Sequence, residues 1–440
     1  MTPFGFTPED ADDAEKNNGE ESAQFRAMME QISAMQAQIQ SQFAGLGINP
    51  ADFAASEETL PKKIVRDTAK KFVTAKGSAP IGANDVARVE EAFSIAELWL
   101  NESTYFPQST EIGNKTLART DWVDATLTGW QSLVEPLALG LSTAISELLK
   151  KSTGPDSDNP DVELPMPIEM ISASLSSFIG SLIATQLGQS IGILAGTVTG
   201  IHDVGLPILL PAYPALISQN IDEWGHELDI PMDEVRIFHA LRECAGARLF
   251  GHNPWLVSYI RTAVSDYGKG IRIDIDAIQS QAQEAFEASA GTVGGFDPTN
   301  PESFTVALNS GIFTPEETPL QRDALIKLET VLALVDGWNE SIVMQAAGER
   351  LPNIASLQET LRRRRATSAP TQQLFANLFG LQVSPKLARE ANSFWNSVSI
   401  SRDLQARDQI WSGILPSAED LLTPESYLAS IEIPDDLSSL

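Results

Sequence analysis

The chain has 440 residues, of which 42% are apolar and 20% are charged, a composition typical of a globular protein with a large buried core. Its net charge of −29 argues against nucleic-acid binding, because phosphate binding requires clustered Lys and Arg side chains. The single cysteine, Cys244, excludes an internal disulfide, and residues 1–18 lack the apolar core of a signal peptide, so a cytoplasmic protein is expected.

The first 60 residues are predicted to form a tail and an arm. Residues 1–20 are rich in acidic side chains and are typical of a disordered tail. Residues 21–60 begin with an amphipathic, Met-rich helix and continue as a loop. This arm either packs on its own domain or, through residues 21–45, contacts a second copy or another protein.

The segment 61–164 is predicted to be a helical N-terminal part. Helices are expected from about 61 to 75 and over 82–100, and a longer one from Thr120 to Leu149, with a break at Pro136. Residues 152–164 (STGPDSDNPDVEL) are polar and contain two prolines, which indicates a linker.

The segment 170–202 contains no Asp, Glu, Lys or Arg and is long enough to cross a bilayer. Its many Ser, Thr and Gly residues, and flanks without basic residues, favour a buried central helix over a membrane span. Glycines recur in it at spacings of eight and four residues, which would allow another helix to approach closely: Gly180, Gly188, Gly192 and Gly196.

The rest of the chain predicts a mainly α fold with at most a small β element near 204–217. Three prolines interrupt that stretch, and a short strand is expected at 208–210. Helices are predicted over about 232–251, 255–268, 319–348 and 354–365, with two or three more before residue 417. The helical core is thus assigned to 165–417, and 418–440 to an acidic, weakly structured tail.

The helix predicted after Pro231 carries the sequence Arg242-Glu243-Cys244-Ala245-Gly246. In H-E-x-x-H zinc peptidases two imidazoles four residues apart hold the metal, and the Glu activates the metal-bound water. Here the Glu is present, but Arg and Gly stand at the two histidine positions. Neither residue can coordinate zinc.

Two nearby groups of residues have alternative interpretations. His239 lies four residues before Glu243, so the pair could supply two ligands, although a His–Glu hydrogen bond on one helix face is favoured. The basic run 362–365 is interpreted as the solvated end of a helix whose arginines pair with acids, in preference to a phosphate site.

Several stretches together resemble the zincin-like hydrolases of actinobacteria, which are often labelled zinc-dependent metalloproteases. They occur in order over roughly residues 90–430 and include 188–207 (GQSIGILAGTVTGIHDVGLP), 228–256 (LDIPMDEVRIFHALRECAGARLFGHNPWL), 267–274 (YGKGIRID), 328–338 (LETVLALVDGW), 361–366 (LRRRRA) and 415–421 (LPSAEDL). The resemblance implies a zincin-like multi-helix fold. One branch of that family has an intact H-E-x-x-H helix with a later carboxylate, which would correspond here to Asp336.

The branch that this chain resembles most has Arg at the first position, as Arg242, but keeps the second His, where this chain has Gly246. The expectation is therefore a pseudoenzyme that binds no cofactor and acts by binding another protein, or a second copy of itself. The alternative is an active zinc-dependent hydrolase with His239, Glu243 and Asp336 as unconventional ligands.

If zinc is absent, two carboxylates remain near each other without the metal that would neutralise them. We therefore predict that Arg242 pairs with Asp336, so that an ion pair connects the two helices that zinc would have connected. Removal of Arg242 alone would then cost about 3–5 kcal/mol of stability, and replacing both partners by apolar residues would recover much of it.

Overall fold

The computed structural model describes residues 58–108, 112–153, 168–270, 318–369, 372, 374–376 and 387–430. The predicted tail at 1–20, nearly all of the arm at 21–60, and residues 154–164 of the predicted linker lie outside the described residues. Within the described part, the fold is mainly α-helical, as the sequence predicts. The helices are α1 Lys62–Lys76, α2 Ala83–Leu100, α3 Arg119–Thr153, α4 Ile168–Ala195, α5 Ser218–Gly225, α6 Met232–His252, α7 Trp255–Lys269, α8 Pro319–Ala347, α9 Ile354–Ser368, α10 Ala388–Ser401, α11 Leu404–Gln409, α12 Ala418–Leu422 and α13 Pro424–Ser430.

Most of the uncharged segment lies in α4, and Gly188 and Gly192 face α1, as their spacing predicts. A Cβ atom on Gly188 would lie 2.7 Å from the carbonyl oxygen of Val65, and one on Gly192 would lie 2.8 Å from that of Ala69. Only glycine permits two helix backbones to come so close. Among the described helices, none is both long enough and apolar enough to span a membrane.

Helix α3 continues through Pro136, so the predicted break is wrong. A proline inside a helix removes one backbone hydrogen bond and clashes with the preceding turn. Here the surrounding helix packs very closely on α7: a Cβ atom on Gly140 would lie 2.4 Å from the carbonyl oxygen of Gly268. We attribute the continuous helix to this packing, which compensates for the missing hydrogen bond.

The β element consists of two three-residue parallel strands, β1 (Lys115–Leu117) and β2 (Ala215–Ile217). β2 lies in the predicted stretch, but the strand expected at 208–210 does not form. Pro207 and Pro211 flank that segment and cannot donate backbone hydrogen bonds to a neighbouring strand. β2 begins only after the last proline, and its three residues are buried.

Helices α6 and α8 pack against each other, and α2 and α9 also pack on α6. α6 is buried along nearly its whole length from Val235 to Phe250. The C-terminal helices α12 and α13 form within the segment predicted as a weakly structured tail, and Leu421 is buried there. Because α6 is buried over this length, the motif residues Arg242, Glu243 and Gly246 lie in the core.

Candidate active site

Glu243 of α6 is buried, with 2% of its surface exposed, and both of its carboxylate oxygens accept hydrogen bonds. Oε1 accepts from the backbone N–H of Ile201 at 3.1 Å, from that of Ala215 at 3.0 Å, and from Nδ1 of His202 at 2.8 Å. Oε2 accepts from the backbone N–H of His202 at 2.9 Å. Through these hydrogen bonds, the carboxylate connects α6 to the loop that follows α4 and to the first residue of β2.

Gly200 leaves room for the carboxylate of Glu243, and Gly246 leaves room for His202. A Cβ atom on Gly200 would lie 2.3 Å from Oε2 of Glu243, so a larger residue would push the carboxylate away. A Cβ atom on Gly246 would lie 2.6 Å from Cβ of His202. His202 therefore occupies the space into which a histidine at position 246 would have to extend, and its ring stacks on Phe250.

Arg242 extends toward α8, where its Nη2 donates to Oδ1 of Asp336 at 3.0 Å. Its side chain is only 9% exposed, and within the described part of the chain its buried Nη1 has no hydrogen-bond partner. Asn339, on the next turn of α8, donates from Nδ2 to the backbone carbonyl of Arg242 at 2.8 Å. The structure therefore brings Arg242 and Asp336 together between α6 and α8.

A second arginine, which the motif did not indicate, contacts the same carboxylate. Arg365 of α9 donates from Nη1 to Oδ1 of Asp336, and from Nη2 to the side chain of Asp203 at 3.0 Å and to its backbone carbonyl at 2.9 Å. This arginine pairs with acids, as predicted, but its side chain is only 21% exposed, so it is not part of a solvated helix end. Arg365 follows the buried Leu357 and Leu361 at four-residue spacing, which places it on the inward face of α9.

The neighbouring arginines do pair with acids as predicted, or pack on a ring. Arg362 bonds Glu340, and Nε of Arg363 donates to Glu359 at 2.7 Å. The guanidinium of Arg364 lies 4.6 Å from the centre of the Trp224 ring. Within the basic run, Arg365 therefore faces the core, whereas Arg362 and Arg363 lie at the solvated surface.

The carboxylates that Arg365 contacts are held in their charged form. Burial alone would raise the pKa of Asp336, but Arg365 and then Arg242 outweigh it and lower the pKa to about 2. Burial likewise opposes ionisation of Asp203, and Arg365 together with the backbone N–H of Thr199 gives a net lowering of its pKa. Both groups therefore carry a negative charge at neutral pH.

His239 bonds Thr199 instead of the predicted Glu243. Its Nδ1 lies 3.0 Å from Oγ1 of Thr199, and that hydroxyl donates its proton to Oδ2 of Asp203 at 3.1 Å. The hydroxyl oxygen must therefore accept from Nδ1–H of His239, and the buried Nε2 has no partner among the described residues. Burial lowers the pKa of His239 to about 3, so the ring is neutral.

A cavity of about 660 Å³ opens beside these ion pairs. Asp203, Asp336 and Arg365 all line it, together with Glu340 and Arg362. Gln358, also in its wall, donates from Nε2 to Glu340 at 2.6 Å, and its buried Oε1 has no partner in the part of the chain that the structure describes. The ion pairs of Arg365 are thus reachable from solvent through the cavity.

Comparison with known proteins identifies the family. The model of the zincin-like metallopeptidase family matches residues 62–428, which is most of the chain. This chain belongs to the zincin-like metallopeptidase family. A solved structure from Chloroflexus aurantiacus, described as a "putative hydrolase with a novel fold", is similar over 84% of this chain and 98% of that one, at 18% sequence identity and a TM-score of 0.54. That likeness is one of fold, and the comparison with curated proteins gives no match.

The residues present do not fit the zinc ion that the family name implies. Arg242 and Gly246 offer no ligand atom, and the guanidinium of Arg365 holds the carboxylate of Asp336. Glu243 is held by backbone N–H groups, so its carboxylate is not directed at a water molecule. Among the described residues, no group of three His, Cys, Asp or Glu side chains could hold a metal ion.

Proposed function

We propose that this member of the zincin-like metallopeptidase family does not catalyse zinc-dependent hydrolysis and works by binding another protein. The observation that carries the proposal is the set of four hydrogen bonds to Glu243. A general base must be free to take a proton from water. Here each oxygen of the carboxylate already accepts protein donors in a buried setting, which supports a structural role for Glu243.

The alternative, a hydrolase that uses His239, Glu243 and Asp336 as ligands, has less support from the geometry. His239 bonds Thr199 through Nδ1, Glu243 bonds the loop after α4, and Asp336 is paired with two arginines. Zinc ligands need a shared point about 2.0–2.2 Å from each donor atom, and each of these three side chains is already bonded to a different set of protein groups.

Metal analysis and an activity assay test the proposal together. Purified full-length protein, supplied with zinc and then freed of excess ion, should contain far less than one zinc per chain. It should also not hydrolyse casein or a peptide library above a no-protein control, because no metal-bound water is generated. Stoichiometric zinc, together with hydrolysis that a chelator abolishes, would refute the proposal and favour the alternative.

The protein-binding part of the proposal is tested on residues 1–45, which lie outside the described residues. Their acidic start and Met-rich stretch predict a surface for association, not a part of the core. Deletion of 1–45 should leave the thermal midpoint nearly unchanged while altering the sedimentation of the chain or its capture of a partner. A large loss of stability with unchanged association would contradict this role.

The single cysteine, Cys244, supports our expectation of a reducing, cytoplasmic setting.

A further inference from the structure

Asp203 and Asp336 lie on different elements of the fold, and both pair with the guanidinium of Arg365. Asp203 lies in the 3-10 turn His202–Val204, and Asp336 lies in the middle of α8. The two terminal nitrogens of Arg365 are divided between them, with Nη2 on Asp203 and Nη1 on Asp336. All three side chains are mostly buried, so each carboxylate depends on protein groups to stabilise its charge.

Arg242 cannot replace Arg365 in this position. It donates to Asp336 through Nη2, and its remaining terminal nitrogen is buried without a partner among the residues that the structure describes. The side-chain partners of Asp203 are Arg365 and the N–H and hydroxyl of Thr199. Among the described residues, loss of Arg365 would leave Asp203 without an ion pair and Asp336 with Arg242 as its remaining ion-pair partner.

We propose that Asp203 and Asp336 form one cation site, whose resident ligand is the guanidinium of Arg365, and that the site accepts a free guanidinium ion when this side chain is removed. The inference rests on the proposed absence of zinc from this part of the protein. It extends that proposal by naming the chemical class of cation that the two carboxylates bind.

The geometry favours guanidinium over a metal ion. Guanidinium is planar, and its N–H groups point outward in a fixed arrangement that matches two carboxylates lying at its edge. Divalent cations with oxygen ligands need about six donors at close range, and the neighbouring Arg242 would repel them. The cavity of about 660 Å³ that Arg365 lines gives a small ion access to the position.

Chemical rescue tests the inference, with stability as the measured quantity. Arg365→Ala is compared with the wild type and with Arg363→Ala, a matched control on the same helix that removes an exposed arginine paired with Glu359. Thermal midpoints are measured in a chelator with guanidinium chloride at about 20 mM, well below denaturing concentrations. Sodium chloride and urea at the same concentration control for ionic strength and for weak denaturation.

Arg365→Ala should lower the thermal midpoint by several degrees, and guanidinium should restore part of that loss while sodium and urea do not. Wild type and Arg363→Ala should show no gain. The inference is overturned if guanidinium affects all three proteins equally, or if calcium or zinc, added without chelator, stabilises the variant more than guanidinium does. If Arg365→Ala does not fold, Arg365→Gln, which keeps more of the side chain, takes its place in the same comparison. Zinc found in the wild type would refute the proposed function separately, because rescue is measured in chelator.

Discussion

Replacing Glu243 by Gln separates a catalytic role from a structural one. In a zinc peptidase the Glu of the motif activates the metal-bound water, so the isosteric amide would abolish hydrolysis and leave the fold intact. In this protein the carboxylate accepts three backbone N–H groups and one ring N–H. Glu243→Gln should therefore destabilise the fold.

The magnitude follows from the donors around each oxygen. If the amide oxygen takes the place of Oε1, it keeps the bonds from Ile201, Ala215 and the His202 ring, but they lose the charge that strengthens them. The amide nitrogen then faces the backbone N–H of His202, so two donors oppose each other and one buried N–H is unsatisfied. An unsatisfied buried group costs about 1–3 kcal/mol, and with the three weakened bonds the total is about 3–5 kcal/mol.

Urea unfolding at neutral pH measures this loss. The matched control is Glu91→Gln, which changes an exposed carboxylate on α2 and should stay within about 0.5 kcal/mol of wild type. A Glu243→Gln variant as stable as this control would show that the hydrogen bonds to the carboxylate contribute little. The structural assignment of Glu243 would then fail.

Three further results are expected. Gly246→Ala should destabilise, because its Cβ would lie 2.6 Å from His202, whereas Gly251→Ala on the same helix, with nothing within 4 Å, should gain up to about 1 kcal/mol in the same urea assay. Arg242→Met should cost about 1–3 kcal/mol in that assay, less than the sequence alone suggests, because Arg365 still pairs with the shared carboxylate. The pKa of His239 is about 3 when folded, below its unfolded value, so the unfolded chain binds more protons between these values. Stability should therefore fall as pH drops from about 6.5 toward 3, by at most about 1.4 kcal/mol per pH unit for this group, and His239→Gln should reduce that dependence.

The helices could be predicted from sequence because their signals are local. Acids in the first turn and an apolar stripe predict α6 over about 232–251, and the structure has Met232–His252. The prediction was wrong where tertiary packing outweighed a local rule, as at Pro136 within α3. The bounds of β2 depended on pairing with β1, about 100 residues earlier, which no local pattern indicates.

The site was predictable only in part, for the same reason. The motif identified Glu243, but its hydrogen-bond donors lie 28 to 42 residues away and three of them are backbone groups, which leave no trace in residue type. The sequence did contain a signal for Arg365, because Leu357, Leu361 and Arg365 share one face of α9. The interpretation of residues 362–365 as one solvated group did not use that spacing.

If the protein lacks zinc, as proposed, one substitution would not be enough to create a zinc site. A histidine at position 246 would collide with His202, whose ring is fixed by Glu243. A histidine at position 242 would supply one imidazole, yet Asp336 would remain paired with Arg365. A divalent ion entering there would also meet the charge of that guanidinium in a mostly buried place, where charges are poorly screened. The obstacles to a zinc site are therefore coupled. His202 and Arg365 occupy the positions that ligands would need, and they also satisfy the hydrogen bonds and charges of Glu243 and Asp336.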